Sequence, residues 1–169
     1  MPRAIRWYVR AVDAMNRFIG RCTMYLIFVM IGVLLYSSIS KTFFTPALWT
    51  METAQFLMVG YFLIGGAYSM QLGSHVRMDL LYSRWSPRTR AVIDAFTIIL
   101  LIVYLCFLLY GGISSSYYAL EYNETSFSSW SPRMAPIKII MTIGVALMLL
   151  QAISTFFKDV AVAWGKPLE

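Results

Sequence analysis

Four long stretches without a charged residue alternate along the chain with short segments that hold nearly all of its Lys, Arg, Asp and Glu. The uncharged runs cover 22–40, 53–74, 95–120 and 139–157. The shortest are 19 residues long, which as a helix is about 28 Å, close to the roughly 30 Å hydrocarbon layer of a bilayer. The pattern therefore predicts an all-α integral membrane protein with four transmembrane helices, over about 22–40, 53–74, 91–117 and 137–157. The whole chain, 1–169, reads as a single membrane domain. Its third run exceeds what a bilayer requires, so that helix should tilt or project outward.

The first 21 residues follow a different rhythm. Ile5, Tyr8, Val9, Val12, Met15 and Ile19 recur at three- and four-residue spacing, while Arg6, Arg10, Asp13 and Arg17 line another stripe. This predicts an amphipathic interfacial helix over 1–21, lying on the cytoplasmic leaflet before it turns into the first span. A straight extension of that span into water is the alternative. A signal peptide fits less well, because the basic segment is long and the small residues near Ser38 and Ser40 make a weak cleavage site.

Composition strengthens the membrane reading. Only 13% of residues are charged and the mean hydropathy is +0.66, against about 25% charged in a typical soluble domain. The net charge of +6 is a topology signal and no nucleic-acid footprint. Eleven of the 14 basic residues fall before the first run, between the second and third, or after the fourth. Basic short loops stay in the cytoplasm, so both termini are expected there, facing anionic phospholipids.

The tetrapeptide Trp-Ser-Pro-Arg occurs at 85–88 and again at 130–133, ahead of the third and fourth runs and so on opposite faces. The residues that follow the two copies do not align, which argues against a duplication. The tetrapeptide reads instead as a helix start used twice: Trp at the interface, Ser as cap, Pro in the first turn and Arg toward headgroups.

No Asp, Glu, Lys, Arg or His lies near the middle of any run. Such groups are costly in hydrocarbon and usually mark ion or substrate paths. A self-contained ion-coupled pump is therefore disfavoured, as is an enzyme. The single histidine, His75, sits in a loop, which disfavours a two-histidine haem anchor, and Cys22 and Cys106 form no metal spacing. No cofactor is expected.

Gly65, Ser69 and Gly73 form a small-residue stripe that lets another helix, or lipid, approach the second span. Gly111 with Ser115 and Gly112 with Ser116 repeat the idea on the third. His75, Arg77 and Asp79 follow the stripe at its cytoplasmic end, as contacts to a partner or as a topology-setting loop. On the outer side Glu52, Glu121, Glu124, Trp130 and Arg133 offer an acidic and aromatic docking face, although an acidic helix start and an interfacial aromatic belt explain some of them equally well.

The stretch LWTMETAQFLMVGYFLIGGAYSMQLGSHVRMDLLYSRWSPRTR is distinctive. Its Trp49 and Glu52, the Gly66-Ala67 pair, the His75-x-Arg77-x-Asp79-Leu80 loop and then Pro87, Arg88 and Arg90 resemble the small membrane subunit of tripartite ATP-independent periplasmic transporters. Trp130, Pro132, Pro136, Lys138 and Gln151 extend the resemblance into the last span. It implies a scaffold subunit of a sodium-coupled, binding-protein-dependent secondary transporter for an organic acid, set in the bacterial inner membrane. It also implies two partners, a large multi-span transport subunit and a periplasmic substrate-binding protein. A self-associating small exporter or the anchor of a redox complex is the alternative that the residues alone leave open.

Overall fold

The computed structural model describes residues 3–73 and 87–163. Five helices account for most of them: α1 (Arg3–Met24), α2 (Leu26–Phe43), α3 (Trp49–Gln71), α4 (Pro87–Glu121) and α5 (Ala135–Ala163). Three helical stretches among the described residues are long and apolar enough to cross a membrane: 5–43, 96–121 and 135–161. At 23 residues, α3 has the length as well, but Thr50, Glu52, Gln55 and Gln71 dilute its hydropathy.

That polarity fits where α3 sits. It is covered by α1 and α2 along one side and by α5 along the other. Its pairing with the first two helices is antiparallel and continuous: Thr50 meets Ser37, an added Cβ at Gly65 would lie nearest Thr23, Gly20 abuts Tyr68, and Gln71 reaches Asp13. Against α5 it runs parallel, with Gly60 beside Ile140, Leu63 beside Gly144 and Gly66 beside Met148. The partner of α4 is α5, its extensive contact. In space the order is thus α2, α3, α5, α4, an open row with α1 laid across α3 and α5 rather than a closed bundle.

The core lies between α3, α4 and α5, where Met70, Leu105, Val145 and Ala152 are buried and Leu101, Ile102, Leu109, Met148 and Leu149 pack around them. Two glycines allow the closest approaches. A Cβ on Gly144 would stand 2.8 Å from Leu63 Cβ and 3.0 Å from its carbonyl carbon, and one on Gly20 would stand 2.4 Å from Tyr68 Cβ. Hydrogen-bonded hydroxyls join other pairs of helices, as expected where lipid offers no hydrophobic drive for association. The Thr50 hydroxyl lies 2.9 Å from both Ser37 Oγ and the Ala47 carbonyl, and Ser116 and Thr142 share a 3.0 Å bond across α4 and α5.

The first helix departs from expectation. Only Tyr25 separates α1 from α2, and its backbone stays in the right-handed helical region (φ −72°, ψ −18°). The buried stripe of α1, Val9, Val12, Asn16, Gly20 and Thr23, faces α3 and α5, whereas Met15, expected on the apolar side, is 37% exposed. Amphipathicity in α1 therefore serves packing within the chain, and Asp13 leaves the arginine stripe to point inward. The arginines at 3, 6, 10, 17 and 21 remain exposed.

Of the first Trp-Ser-Pro-Arg copy, Trp85 and Ser86 lie outside the described residues, and Pro87 is the first described residue of α4. The second copy is no helix start. Trp130, Ser131, Pro132 and Arg133 lie in the loop before α5, which starts only at Ala135. Ser131 takes a positive φ of 46° and donates its hydroxyl to the Ser128 carbonyl at 2.8 Å. It closes a turn instead of capping a helix.

Candidate interaction surfaces and a buried polar junction

The site residues expected on the outer side come together at one end of the molecule. Glu121 closes α4, while Glu124, Trp130 and Arg133 sit in the loop 122–134. The parallel register of α3 and α5 brings Glu52 to the same level. The loop has its own fastening: Thr125 and Arg133 form an antiparallel bridge, Ser126 N–H donates to the Pro132 carbonyl at 2.9 Å, and Met134 N–H to that of Glu124 at 2.9 Å. Lys138, in the first turn of α5, donates to Glu124 in an ion pair. Glu124 is thereby neutralised within the chain. Phe127 and Trp130 stand clear of the loop, Trp130 being 45% exposed, and Arg133 and Glu121 are exposed too. Glu52 is half-buried, and its Oε2 is buried with no hydrogen-bond partner among the described residues.

An exposed or half-exposed ion pair contributes at most about 1 kcal/mol. Lys138→Gln is therefore expected to leave the thermal midpoint nearly unchanged while loosening the loop. Hydrogen exchange at residues 124–134 checks this, and should quicken severalfold in the variant.

At the opposite end, Gly65 and Ser69 lie half-buried on α3 beside a groove of about 550 Å³. Gly20 and Thr23 of α1, Phe62 of α3 and Met148 of α5 also line it. Gly73, expected to continue the stripe, lies beyond the helix. Its φ of +66° and the bond from its N–H to the Met70 carbonyl end α3 in the left-handed turn that glycine favours. His75, Arg77 and Asp79 fall outside the described residues. On α4 the two small pairs divide: Gly112 and Ser116 face Thr142 of α5, whereas Gly111 is exposed with open space beside it.

The most elaborate polar arrangement joins α1, α3 and α5. Gln151 is fully buried and accepts from Asn16 Nδ2 at 2.7 Å while donating to Asp13 Oδ1 at 3.0 Å. Ser154, also fully buried, lies 3.4 Å from the same carboxylate oxygen. Lys158 Nζ donates to Asp13 Oδ2 at 2.5 Å, and Gln71 Nε2 to the Asp13 carbonyl at 3.2 Å. Alongside, Tyr8 donates to the Leu150 carbonyl at 3.2 Å and meets Phe157 edge to face at 6.4 Å. Asn16 Oδ1 and Gln71 Oε1 are buried acceptors with no donor among the described residues. The sequence reading missed this junction apart from Gln151, since residues 13 and 158 carry no spacing signal that joins them. Asn16, an amide amid an apolar stripe, is the one clue that was available.

Long apolar helices in an open row, joined by buried hydroxyls and amides and with charge kept to α1 and to the ends of the other helices, define a multi-pass helical membrane protein. A family model described as the DctQ component of tripartite ATP-independent periplasmic transporters matches residues 30–162. The chain belongs to that family, the small component of these transporters. Membership implies an inner-membrane location and association with a large membrane subunit and a binding protein, and the family is one of transporter components, not of enzymes. A comparison with individual curated proteins gave no match.

Proposed function

We propose that this chain is the fixed scaffold of a sodium-coupled secondary transporter that imports an organic acid delivered by a periplasmic binding protein. It crosses the membrane four times, with α3 as the second span and both termini in the cytoplasm. The large subunit covers apolar surface that the chain leaves bare, and carries the ion and substrate sites. The loop 122–134, with Glu52 and Glu121 at the same end, forms part of the face on which the binding protein docks.

The observation that carries this reading is the open row. Each outer helix packs extensively on one neighbour in the row, α2 on α3 and α4 on α5. Each therefore leaves a broad side uncovered: Phe28, Leu35 and Ile39 on α2, and Phe96, Leu100 and Phe107 on α4. No Asp, Glu, Lys, Arg or His interrupts 22–40 or 95–120, so these sides suit lipid or a partner helix and offer nothing to couple an ion. Coupling then falls to a companion polypeptide.

Reconstitution tests the division of labour. Gradient-driven uptake is expected only when this chain, a large subunit and a binding protein are present together, and uptake by this chain alone would refute it. The cytoplasmic loop provides a second check. Arg77→Ala with Asp79→Ala should reduce co-purification of the large subunit severalfold in mild detergent, and unchanged recovery assigns that loop to topology alone.

A further inference from the structure

The groove beside Gly65 has the dimensions and chemistry of a lipid site. It extends along α3 from Tyr61 to Leu72, about 16 Å at 1.5 Å per residue. That is close to half the roughly 30 Å hydrocarbon layer, or one leaflet. Its floor is small and apolar: Gly65 offers no side chain, and a Cβ placed there would find only Thr23 Cγ2, at 3.9 Å. Its walls are Phe62, Met148 and the Gly20–Met24 turn of α1.

Charge is concentrated at one end. Arg17 and Arg21 flank Gly20 on α1, on the side of the helix that continues to Met24, one of the lining residues. Both arginines are exposed. Among the described residues neither has a carboxylate partner, whereas Lys158 nearby is committed to Asp13. In the antiparallel pairing of α1 with α3, Thr23 lies beside Gly65, Gly20 beside Tyr68 and Asp13 beside Gln71. Arg21 and Arg17 therefore fall between Gly65 and Gln71, in the half of the groove that Leu72 closes, with Tyr61 at the deep end. Hydroxyls of Tyr68 and Ser69 lie along the same stretch of the lining.

We infer that this groove binds one anionic phospholipid of the inner leaflet, with an acyl chain over Gly65 and the phosphate held by Arg17 and Arg21. An apolar slot one leaflet deep, with two guanidinium groups beside the half nearest its mouth and no carboxylate partner for either among the described residues, matches that amphiphile in both length and charge. A zwitterionic lipid meets the same slot but gains less at the mouth, because its headgroup carries its own cation. The inference rests on the proposed cytoplasmic placement of the α1 end, which sets the leaflet, and not on the transport activity.

The test uses the full chain, delipidated in mild detergent and titrated with phosphatidylglycerol or phosphatidylcholine of identical acyl chains, with bound lipid counted by native mass spectrometry. Phosphatidylglycerol should bind about 10- to 30-fold more tightly, as two basic side chains near a headgroup imply. The double variant Arg17→Gln, Arg21→Gln should remove that preference. Gly65→Leu should fill the slot and weaken both lipids while the arginines stay in place. Ser69→Leu serves the same purpose should Gly65→Leu fail to elute as a folded species. Equal affinity for the two lipids, or undiminished phosphatidylglycerol binding in the folded slot-filling variant, overturns the inference. So does a cross-link in native membranes from Ser69→Cys to a helix of another polypeptide, which would show that protein fills the groove.

Discussion

Gly144→Ala is expected to destabilise the protein by about 1–3 kcal/mol, even though alanine is the better helix former. In isolation the substitution should help α5 by up to about 1 kcal/mol through the backbone entropy that glycine forfeits. The opposing effect is steric and is set by what the methyl group meets. It would stand 2.8 Å from Leu63 Cβ, 3.0 Å from Leu63 C and 3.2 Å from Leu63 O. Two of these atoms are backbone, so no rotamer change relieves them and α3 must move away from α5. That interface also carries Met70 and Val145 of the core, so the displacement spreads. Gly111→Ala supplies the control, since nothing lies within 4 Å of a Cβ there. Thermal unfolding in one detergent, followed by size-exclusion fluorescence, should show the Gly144 midpoint lowered and the Gly111 midpoint level or raised. Equal midpoints would mean that α3 and α5 do not approach as closely as 2.8 Å at this position.

The contrast between these two glycines shows what a linear reading can and cannot deliver here. Hydropathy locates helices because lipid demands the same thing of every exposed position, so α2, α4 and α5 lie close to where their uncharged runs predict. Packing is not local. Gly144 and Gly20 belong to no small-residue stripe, and their need for a bare Cα arises from Leu63 and Tyr68 on another helix. Gly73 belongs to the stripe by spacing and leaves it by conformation, because the chain turns left-handed there. The second Trp-Ser-Pro-Arg copy misleads for the same reason. Its serine has the residue type of a cap, but the bridge between Thr125 and Arg133 and the bonds to Ser128 claim that segment first.

Asp13 is the sharpest case. Three arginines share its face by spacing, which suggests a solvated stripe facing headgroups. What turns it inward is a lysine 145 positions away and a buried glutamine on the same distant helix. Burial of an acid in a membrane protein is tolerable only with such partners, and those partners become visible only once α1 is laid across α5. The amphipathic pattern of α1 is as expected, but its buried face packs on α3 and α5 and is pinned there by a polar node. That node lies level with the end of α3, where the chain must fix how far α1 and α2 slide along it.

Gln151→Leu tests whether the node acts as a unit. The substitution conserves approximate volume at a fully buried position and removes two hydrogen bonds. Asn16 Nδ2 then has no acceptor in the junction, and its Oδ1 is already without a donor among the described residues. Asp13 keeps Lys158 and Ser154, so the charge itself stays compensated. The expected loss is about 2–4 kcal/mol, most of it from leaving the Asn16 amide buried and unsatisfied. Converting the amide as well, in Asn16→Leu with Gln151→Leu, should restore part of that stability, since replacing both partners of a buried hydrogen bond by apolar groups is often nearly neutral. A double-mutant cycle on thermal unfolding in detergent measures the coupling. Favourable coupling, with the double variant more stable than the Gln151→Leu single, establishes that the two amides hold α1 against α5 together. If the two single effects simply add, each amide acts independently and the pin on α1 reduces to the ion pair between Asp13 and Lys158.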